Sequence, residues 1–342
     1  MNNIQNWARK YRPCAAQDIV GQHYAVKVLQ QSIITNKIHQ AYLFSGKFGV
    51  GKTSICRYLV QAMNCTNLKG SDPCGQCTNC TLMQQEQFLD HLELDGARYN
   101  KAEEIEMALE PLRFLPTVGK YRSVLIDEVH MLSMHAFNLL LKRLEEPAPH
   151  VRFLLATNRI DKVPGTIVSR ALHIHLRPID QLAIASRLEH ILAIEGLSLD
   201  TPVLQRIAQY SQGSMRYGIN ILEQVMSLGF IPVADDIDQL LCSYSPTKIE
   251  EVFQAIVRGN KSQLLASLKD IGQFDGQSFL DSLAKHILQE CMKENHTSNI
   301  ATEIMYSAFQ EVVQAKKLLF FGDSAVIIMM LCINLQDKLV RL

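Results

Sequence analysis

The stretch Gly46-Lys47-Phe48-Gly49-Val50-Gly51-Lys52-Thr53 decides how this chain is read. It fits G-x-x-x-x-G-K-[ST], a loop whose backbone N–H groups turn inward around phosphate oxygens. The apolar run Ala41-Tyr42-Leu43-Phe44 before it predicts a buried strand, and Thr53 to Met63 after it predicts a helix. The start of that helix adds partial positive charge where phosphates would sit. Lys52 is then placed to reach the β- and γ-phosphates and the Thr53 hydroxyl to ligate Mg²⁺, with Ser54 as the next nucleotide contact. The competing reading is an ordinary strand-turn-helix corner with glycines for tightness. The Lys-Thr pair and the flanks favour a nucleoside triphosphate.

Further along, Ser123-Val124-Leu125-Ile126-Asp127-Glu128 is an apolar strand delivering two acids at its C-terminal end. An acidic pair after a strand is weak evidence alone. With a phosphate loop 75 positions upstream, from Lys52 to Asp127, it becomes a Walker B arrangement. Asp127 would hold Mg²⁺ and Glu128 would polarise the water that attacks the γ-phosphate. Val151-Arg152-Phe153-Leu154-Leu155-Ala156 predicts another buried strand, ending at Thr157-Asn158. A polar residue at that tip is either a γ-phosphate sensor or a plain strand cap. Leu92 to Asp95 and Leu172 to Leu176 complete the strands, and helices are expected from Asp18 to Asn36, Lys101 to Phe114 and Ala136 to Glu146. Alternating strands and helices imply an α/β fold with a parallel sheet covered on both faces. Ligands in such sheets sit at the carboxyl ends of the strands, where these motifs fall.

The 342 residues suggest two or three domains, and 47% hydrophobic residues suffice for several cores. Lys+Arg and Asp+Glu number 34 each, so no global field drives the chain onto nucleic acid. The start, Met1 to Asn6, lacks a signal-peptide layout, and the apolar run Ala325 to Cys332 is too short to span a bilayer. A cytoplasmic location is expected.

Four of nine cysteines cluster as Cys65-x8-Cys74-x2-Cys77-x2-Cys80. In a reducing compartment that spacing suits one tetrahedral, closed and therefore structural Zn²⁺, against a redox pair or a chance cluster. Cys14, Cys56, Cys242, Cys291 and Cys332 read as small core residues. Trp7-Ala8-Arg9-Lys10-Tyr11-Arg12-Pro13 opens the ordered chain as a basic-aromatic segment, which on its own is as consistent with a solvated arm as with a site. After Arg177-Pro178-Ile179 strand signals fade. Three helices are expected from 180 to about 241, and a further helical region from about Ser245 with breaks at Gly259, Gly272 and Gly322.

The phosphate loop with its four-cysteine insert, Leu125-Ile126-Asp127-Glu128-Val129-His130-Met131, Leu140-Leu141-Lys142-Arg143-Leu144-Glu145-Glu146-Pro147, Phe153 to Thr157, Ser169-Arg170-Ala171 and Gly213-Ser214-Met215-Arg216 occur in this order. That series resembles the gamma/tau ATPase subunits of the bacterial DNA polymerase III clamp loader, closely from Trp7 to about Gln224 and more loosely beyond. The resemblance implies an AAA+ domain over 1–178 with the zinc module at 65–80, a helical lid over 179–241, and a helical collar over 242–342. It places Arg12, Pro13 and Val20 near the adenine, makes Thr157 sensor 1 and Arg216 sensor 2, and makes Arg170 a finger acting on ATP held by a neighbouring subunit. Implied partners are delta, delta-prime and further gamma/tau copies in a five-member assembly, the sliding clamp, and primed DNA. Implied cofactors are ATP, Mg²⁺ and structural zinc.

The sequence departs from that pattern at three places. Ala171 stands where the family has Cys, and Tyr217 where an Asp follows the sensor-2 arginine. Gly96-Ala97-Arg98-Tyr99-Asn100-Lys101 replaces the family's Ala-Ala-Ser-Arg-Thr-Lys. The chain ends at Leu342, which suggests a gamma-like, loader-only form. The family is often catalogued as a DNA-directed DNA polymerase because of the holoenzyme. One acidic pair on one strand tip serves ATP hydrolysis, and no second carboxylate constellation for a two-metal polymerase is apparent. Two alternatives are a non-hydrolysing subunit similar to delta-prime and another AAA+ remodeller such as a branch-migration motor.

Overall fold

The computed structural model of the chain describes residues 6–228, 230, 232–241, 246–268, 276–292, 302–319 and 323–340. Two compact units divide it, residues 1–230 and 231–342. In the first, β1 (Ala41–Ser45), β2 (His91–Asp95), β3 (Arg122–Asp127), β4 (Val151–Thr157) and β5 (Leu172–His175) form one parallel sheet in the order β2-β3-β4-β1-β5. The helices of this unit are α1 (Trp7–Lys10), α2 (His23–Ile34), α3 (Lys52–Asn64), α4 (Thr78–Gln84), α5 (Ala102–Leu109), α6 (Met134–Glu145), α7 (Gly165–Val168), α8 (Gln181–Glu195), α9 (Thr201–Tyr210) and α10 (Met215–Met226).

Every residue of β1 and β4 is buried, because both faces of the sheet are covered. Tyr42 and Phe44 pack on one face with Leu29 of α2 and with Ile55 and Leu59 of α3. Ala41 and Leu43 face the other way, onto Ile105 of α5 and Phe137 and Leu140 of α6. Burying each of these large apolar side chains contributes about 1.5–3 kcal/mol. The result is a rigid platform. Its register pairs Ser45 with Thr157 and Asp95 with Asp127, so the functional strand tips lie along one edge of the sheet.

The strands stand where the apolar runs put them, but several helix limits differ. The helix expected from Asp18 starts only at His23; a 3-10 turn at Ala16–Asp18, extended Ile19 and Gly21 at φ +75° precede it. A Cβ at Gly21 would lie 3.1 Å from Ile179, so this segment serves as a wall against the sheet-to-lid connection. Gln22 fixes it there: its amide donates to Arg177 O at 2.7 Å and Val50 O at 3.4 Å, and its Oε1 accepts from Arg177 N. The helix expected through Phe114 ends at Leu109 and continues as a 3-10 turn, Glu110–Arg113, because Pro111 has no N–H to donate. β5 stops at His175, one residue short of the expected end.

Helices α8, α9 and α10 pack on one another through Ile184, Leu188, Ile191, Val203, Ile207 and Leu222. Asp180 caps α8 by accepting from Leu182 N, and Ser214 caps α10 by accepting from Tyr217 N. A fourth helix stands where three were expected, since α11 (Ala234–Leu240) lies before residue 241. It belongs to the second unit, with α12 (Pro246–Val257), α13 (Lys261–Ser267), α14 (Gly276–Met292), α15 (Thr302–Leu318) and α16 (Ser324–Val340). The core of that unit joins Val252, Phe253, Phe279, Leu283, Val312, Ile328 and Leu335. Gly259, at φ +68°, makes the expected break; Gly272 and Gly322 lie outside the described residues. Among the described residues, no helix is long and apolar enough to cross a membrane.

Candidate nucleotide-binding site

The loop between β1 and α3 brings together the groups its sequence promised. Gly49, at φ +75°, lies so close to α10 that a Cβ there would sit 1.9 Å from Ser214 Oγ. Glycine is therefore required sterically as well as conformationally. Lys52, 6% exposed, donates from Nζ to the carbonyls of Gly46 at 3.0 Å and Lys47 at 3.1 Å, holding its ammonium inside the loop. Burial lowers its pKa from the usual lysine value. The Thr53 hydroxyl donates to Asp127 Oδ2 at 2.8 Å across 74 residues of sequence. Two oxygens suited to Mg²⁺ thus meet between α3 and the tip of β3.

Asp127 Oδ1 accepts from Glu128 N at 2.9 Å, and Glu128 takes a left-handed backbone, φ +49°, which turns the chain sharply off the strand. The turn brings His130 back to the strand tips. Its Nδ1 lies 3.1 Å from Thr157 Oγ1 and 3.3 Å from Glu128 Oε2. Thr157 is fully buried, and its hydroxyl oxygen accepts from Arg159 N at 3.0 Å.

A cleft opens beside the loop, between it, the strand tips and α10. Arg12, Pro13, Val20, Asp127, Glu128, Arg216 and every residue from Phe48 to Ser54 line it. Gly46 contributes its carbonyl to Lys52, and the Lys47 side chain is exposed. Arg216 stacks over the Phe48 ring, 5.1 Å from its centroid, a cation–π contact between lid and loop. Arg170 lies elsewhere: it pairs with Glu145 at 2.7 Å, donates to Thr166 O at 3.0 Å, and does not line this cleft. Arg9 and Arg12 both pair with Glu86, but Arg9 is exposed and only Arg12 lines the cleft.

Sequence reasoning missed Tyr11, Ile179, Arg187, Met215 and Ile219, which also line the cleft. Arg187 had a signal: in α8 it shares a helical face with buried Ile184, Leu188 and Ile191, where a lone charge needs a partner. That partner is Asp18, at 3.5 Å. Ile179, Met215 and Ile219 gave none, because they read as ordinary core.

The four clustered cysteines come together ahead of and within α4. Their sulfurs all lie within 4.8 Å of one another, with Cys65–Cys77 and Cys74–Cys80 each at 4.0 Å. Tetrahedral Zn²⁺ with ~2.3 Å bonds needs sulfurs about 3.8 Å apart, so the set fits with little movement. Backbone N–H groups of Gln76 and Cys77 donate to Cys74 Sγ at 3.5 and 3.3 Å and hold that thiol low, which suits a thiolate ligand. Of the remaining cysteines, Cys56 and Cys332 are buried and Cys291 half-buried. Cys14 departs from the core reading: it is exposed, because it sits in the open turn after Arg12. Cys242 lies outside the described residues.

The strand order and the loop-to-tip geometry define a P-loop nucleotide-binding protein of the AAA+ fold class. Thermotoga maritima RuvB, described in its solved structure as a Holliday junction branch migration motor, shares that fold with a TM-score of 0.52. It is 16% identical and covers 80% of this chain and 91% of its own, a likeness of fold alone. Residues 21–180 match the family model "DNA polymerase III, delta subunit", and residues 183–230 match "DNA polymerase III clamp loader subunit, ATPase lid domain". DNA polymerase III subunit tau/gamma of Haemophilus influenzae is 38% identical over 295 residues, which is 86% of this chain and 42% of that protein. Subunit tau of Escherichia coli is 39% identical over 269 residues, or 78% and 42% of the two chains. Subunit gamma of Buchnera aphidicola from Acyrthosiphon pisum is 43% identical over 227 residues, or 66% and 63%. The chain belongs to this gamma/tau family. It spans between 42% and 63% of the length of these three relatives.

Proposed function

We propose that the chain is an ATP-hydrolysing motor subunit of a DNA polymerase III clamp loader, which opens a sliding clamp and places it on primed DNA. The observation that carries this reading is the contact of Thr53 with Asp127 at 2.8 Å beside an inward-held Lys52, in a chain of the gamma/tau family. Backbone N–H groups of the loop and Lys52 bind the β- and γ-phosphates. Thr53 and Asp127 would hold Mg²⁺, which would supply charge neutralisation at the phosphate oxygens. Glu128 orients the attacking water; Thr157 and Arg216 contact the γ-phosphate from the strand tip and the lid. Arg12, Pro13 and Val20 form the base-facing wall.

Arg170, outside its own cleft and partly exposed, acts on ATP held by a neighbouring subunit. A guanidinium suits that task because it is permanently charged and spreads its donors over several oxygens. The partners are delta, delta-prime and further gamma/tau copies in a five-member ring. The four-cysteine module holds structural zinc, closed to substrate. The test is ATP hydrolysis after reconstitution with partner subunits, with and without clamp and primed DNA; stimulation only by both together supports loading.

A second reading, a non-hydrolysing subunit similar to delta-prime, has one observation in its favour: the delta-subunit family model matches residues 21–180. Titration of labelled ATP against the full chain separates the two, since the motor binds ATP and a subunit with a decayed site does not.

A further inference from the structure

We propose that His130 is a positioning residue that couples Thr157 to Glu128, so that a γ-phosphate met by the one fixes the carboxylate of the other. The proposal rests on the ATP-hydrolysis reading of this site. Its observation is one ring nitrogen facing two oxygens: His130 Nδ1 lies 3.1 Å from Thr157 Oγ1 and 3.3 Å from Glu128 Oε2. The His130 side chain is 8% exposed, and Glu128 Oε2 is buried without a hydrogen-bond partner. A 3-10 turn, Val129–Met131, entered through the left-handed Glu128, holds the ring there.

Neutral imidazole has one donor nitrogen and one acceptor, so Nδ1 serves only one of the two oxygens at a time. Thr157 Oγ1 already accepts from Arg159 N, leaving its own proton for a single acceptor. When that proton goes to Nδ1, the ring presents a lone pair to Glu128 and its carboxylate oxygen stays unbonded. When Thr157 turns its proton to a γ-phosphate oxygen, Nδ1 is released. A proton then moves from Nε2 to Nδ1 through water, the ring stays neutral, and Nδ1–H donates to Glu128 Oε2. The carboxylate is thereby held in one orientation only while the triphosphate is in place. His130 does not line the cleft; it acts through Glu128.

The test compares His130→Ala and His130→Asn in the full chain, reconstituted with its clamp-loader partners, clamp and primed DNA, with wild type alongside. Asn is the conservative variant because its amide nitrogen lies near the position of Nδ1. His130→Ala is expected to slow single-turnover hydrolysis ~10–100-fold, the scale of losing one aligned polar group, while ATP affinity stays within about twofold. His130→Asn restores most of the rate. In a Thr157→Val background, where the coupling is already broken, His130→Ala adds less than about threefold. Unchanged hydrolysis in His130→Ala, equal losses in both variants, additive losses in the double variant, or lost ATP binding would each overturn the proposal. A wild-type assembly that hydrolyses nothing overturns the underlying reading, and the proposal with it.

Discussion

Lys52 is buried at the floor of the cleft, with its ammonium held by two loop carbonyls, a place suited to a cation of the same reach. Lys52→Ala is expected to abolish ATP binding by equilibrium titration while leaving the thermal unfolding curve in place. Glu128→Gln should do the opposite, binding ATP but slowing hydrolysis at least ~100-fold in a single-turnover assay. Asp90 is a different kind of residue, structural and invisible in the sequence. Its side chain is fully buried, accepts backbone hydrogen bonds from Thr117, Val118 and Gly119 at 2.7–3.0 Å, and pairs with Arg122 at 3.0 Å. Asp90→Ala leaves three amides without their acceptor and removes the carboxylate from Arg122, which keeps only Pro111 O and Thr117 Oγ1, and should destabilise the first unit by about 3–5 kcal/mol in chemical denaturation.

Glu93 supplies a pH dependence at the same scale. Burial pushes its carboxyl up, but hydrogen bonds from His91 and Arg57 outweigh burial and hold it at about 2. A depressed carboxyl contributes stability above its unfolded value of about 4.5, lost as pH falls from there toward 2. The contribution is on the order of 2 kcal/mol after allowing for its partial exposure. Denaturation curves between pH 5 and about 3 should therefore fall less steeply for Glu93→Gln than for the parent chain; parallel curves would remove this role.

At the scale of elements, α4 buries only Asn79 and Cys80, and beyond the hydrogen bonds of Asn79 to Asn64 O and of Gln61 to Cys80 O the proposed zinc would be its main anchor. Metal analysis should return one zinc per chain, and Cys74→Ser with Cys77→Ser should lose it and raise protease cleavage within residues 65–85. Full occupancy in that double variant would contradict a four-thiolate site. The insert, the loop and the acidic strand tip were legible because each rests on residue types at fixed short spacing. The start of α2 was not, because Asp18 to Gln22 has the composition of a helix cap, yet Gly21 and Gln22 are committed to tertiary contacts with Ile179 and Arg177. The lid side of the cleft was half legible: Arg216 stood out, whereas Arg187 pairs with a residue 169 positions away. His130 escaped notice because only the left-handed turn at Glu128 brings it back against Thr157.

At the scale of the whole molecule, the cleft carries a lysine, a magnesium pair and a base, while Arg170 stands apart on Glu145. On the proposed function, such a division would make the ATP site the joint property of neighbouring subunits. The isolated chain should bind ATP and hydrolyse it slowly, and Arg170→Ala should spare binding while removing ~10³-fold or more of the assembled rate. The sharpest test is therefore ATP turnover by the reconstituted assembly, with clamp and primed DNA, for wild type and Arg170→Ala. Strong stimulation of wild type is expected only when clamp and DNA are both present, and it should be lost in Arg170→Ala with ATP affinity intact. Stimulated turnover that survives Arg170→Ala, or no stimulation in the wild type, would show that the site is not shared in this way.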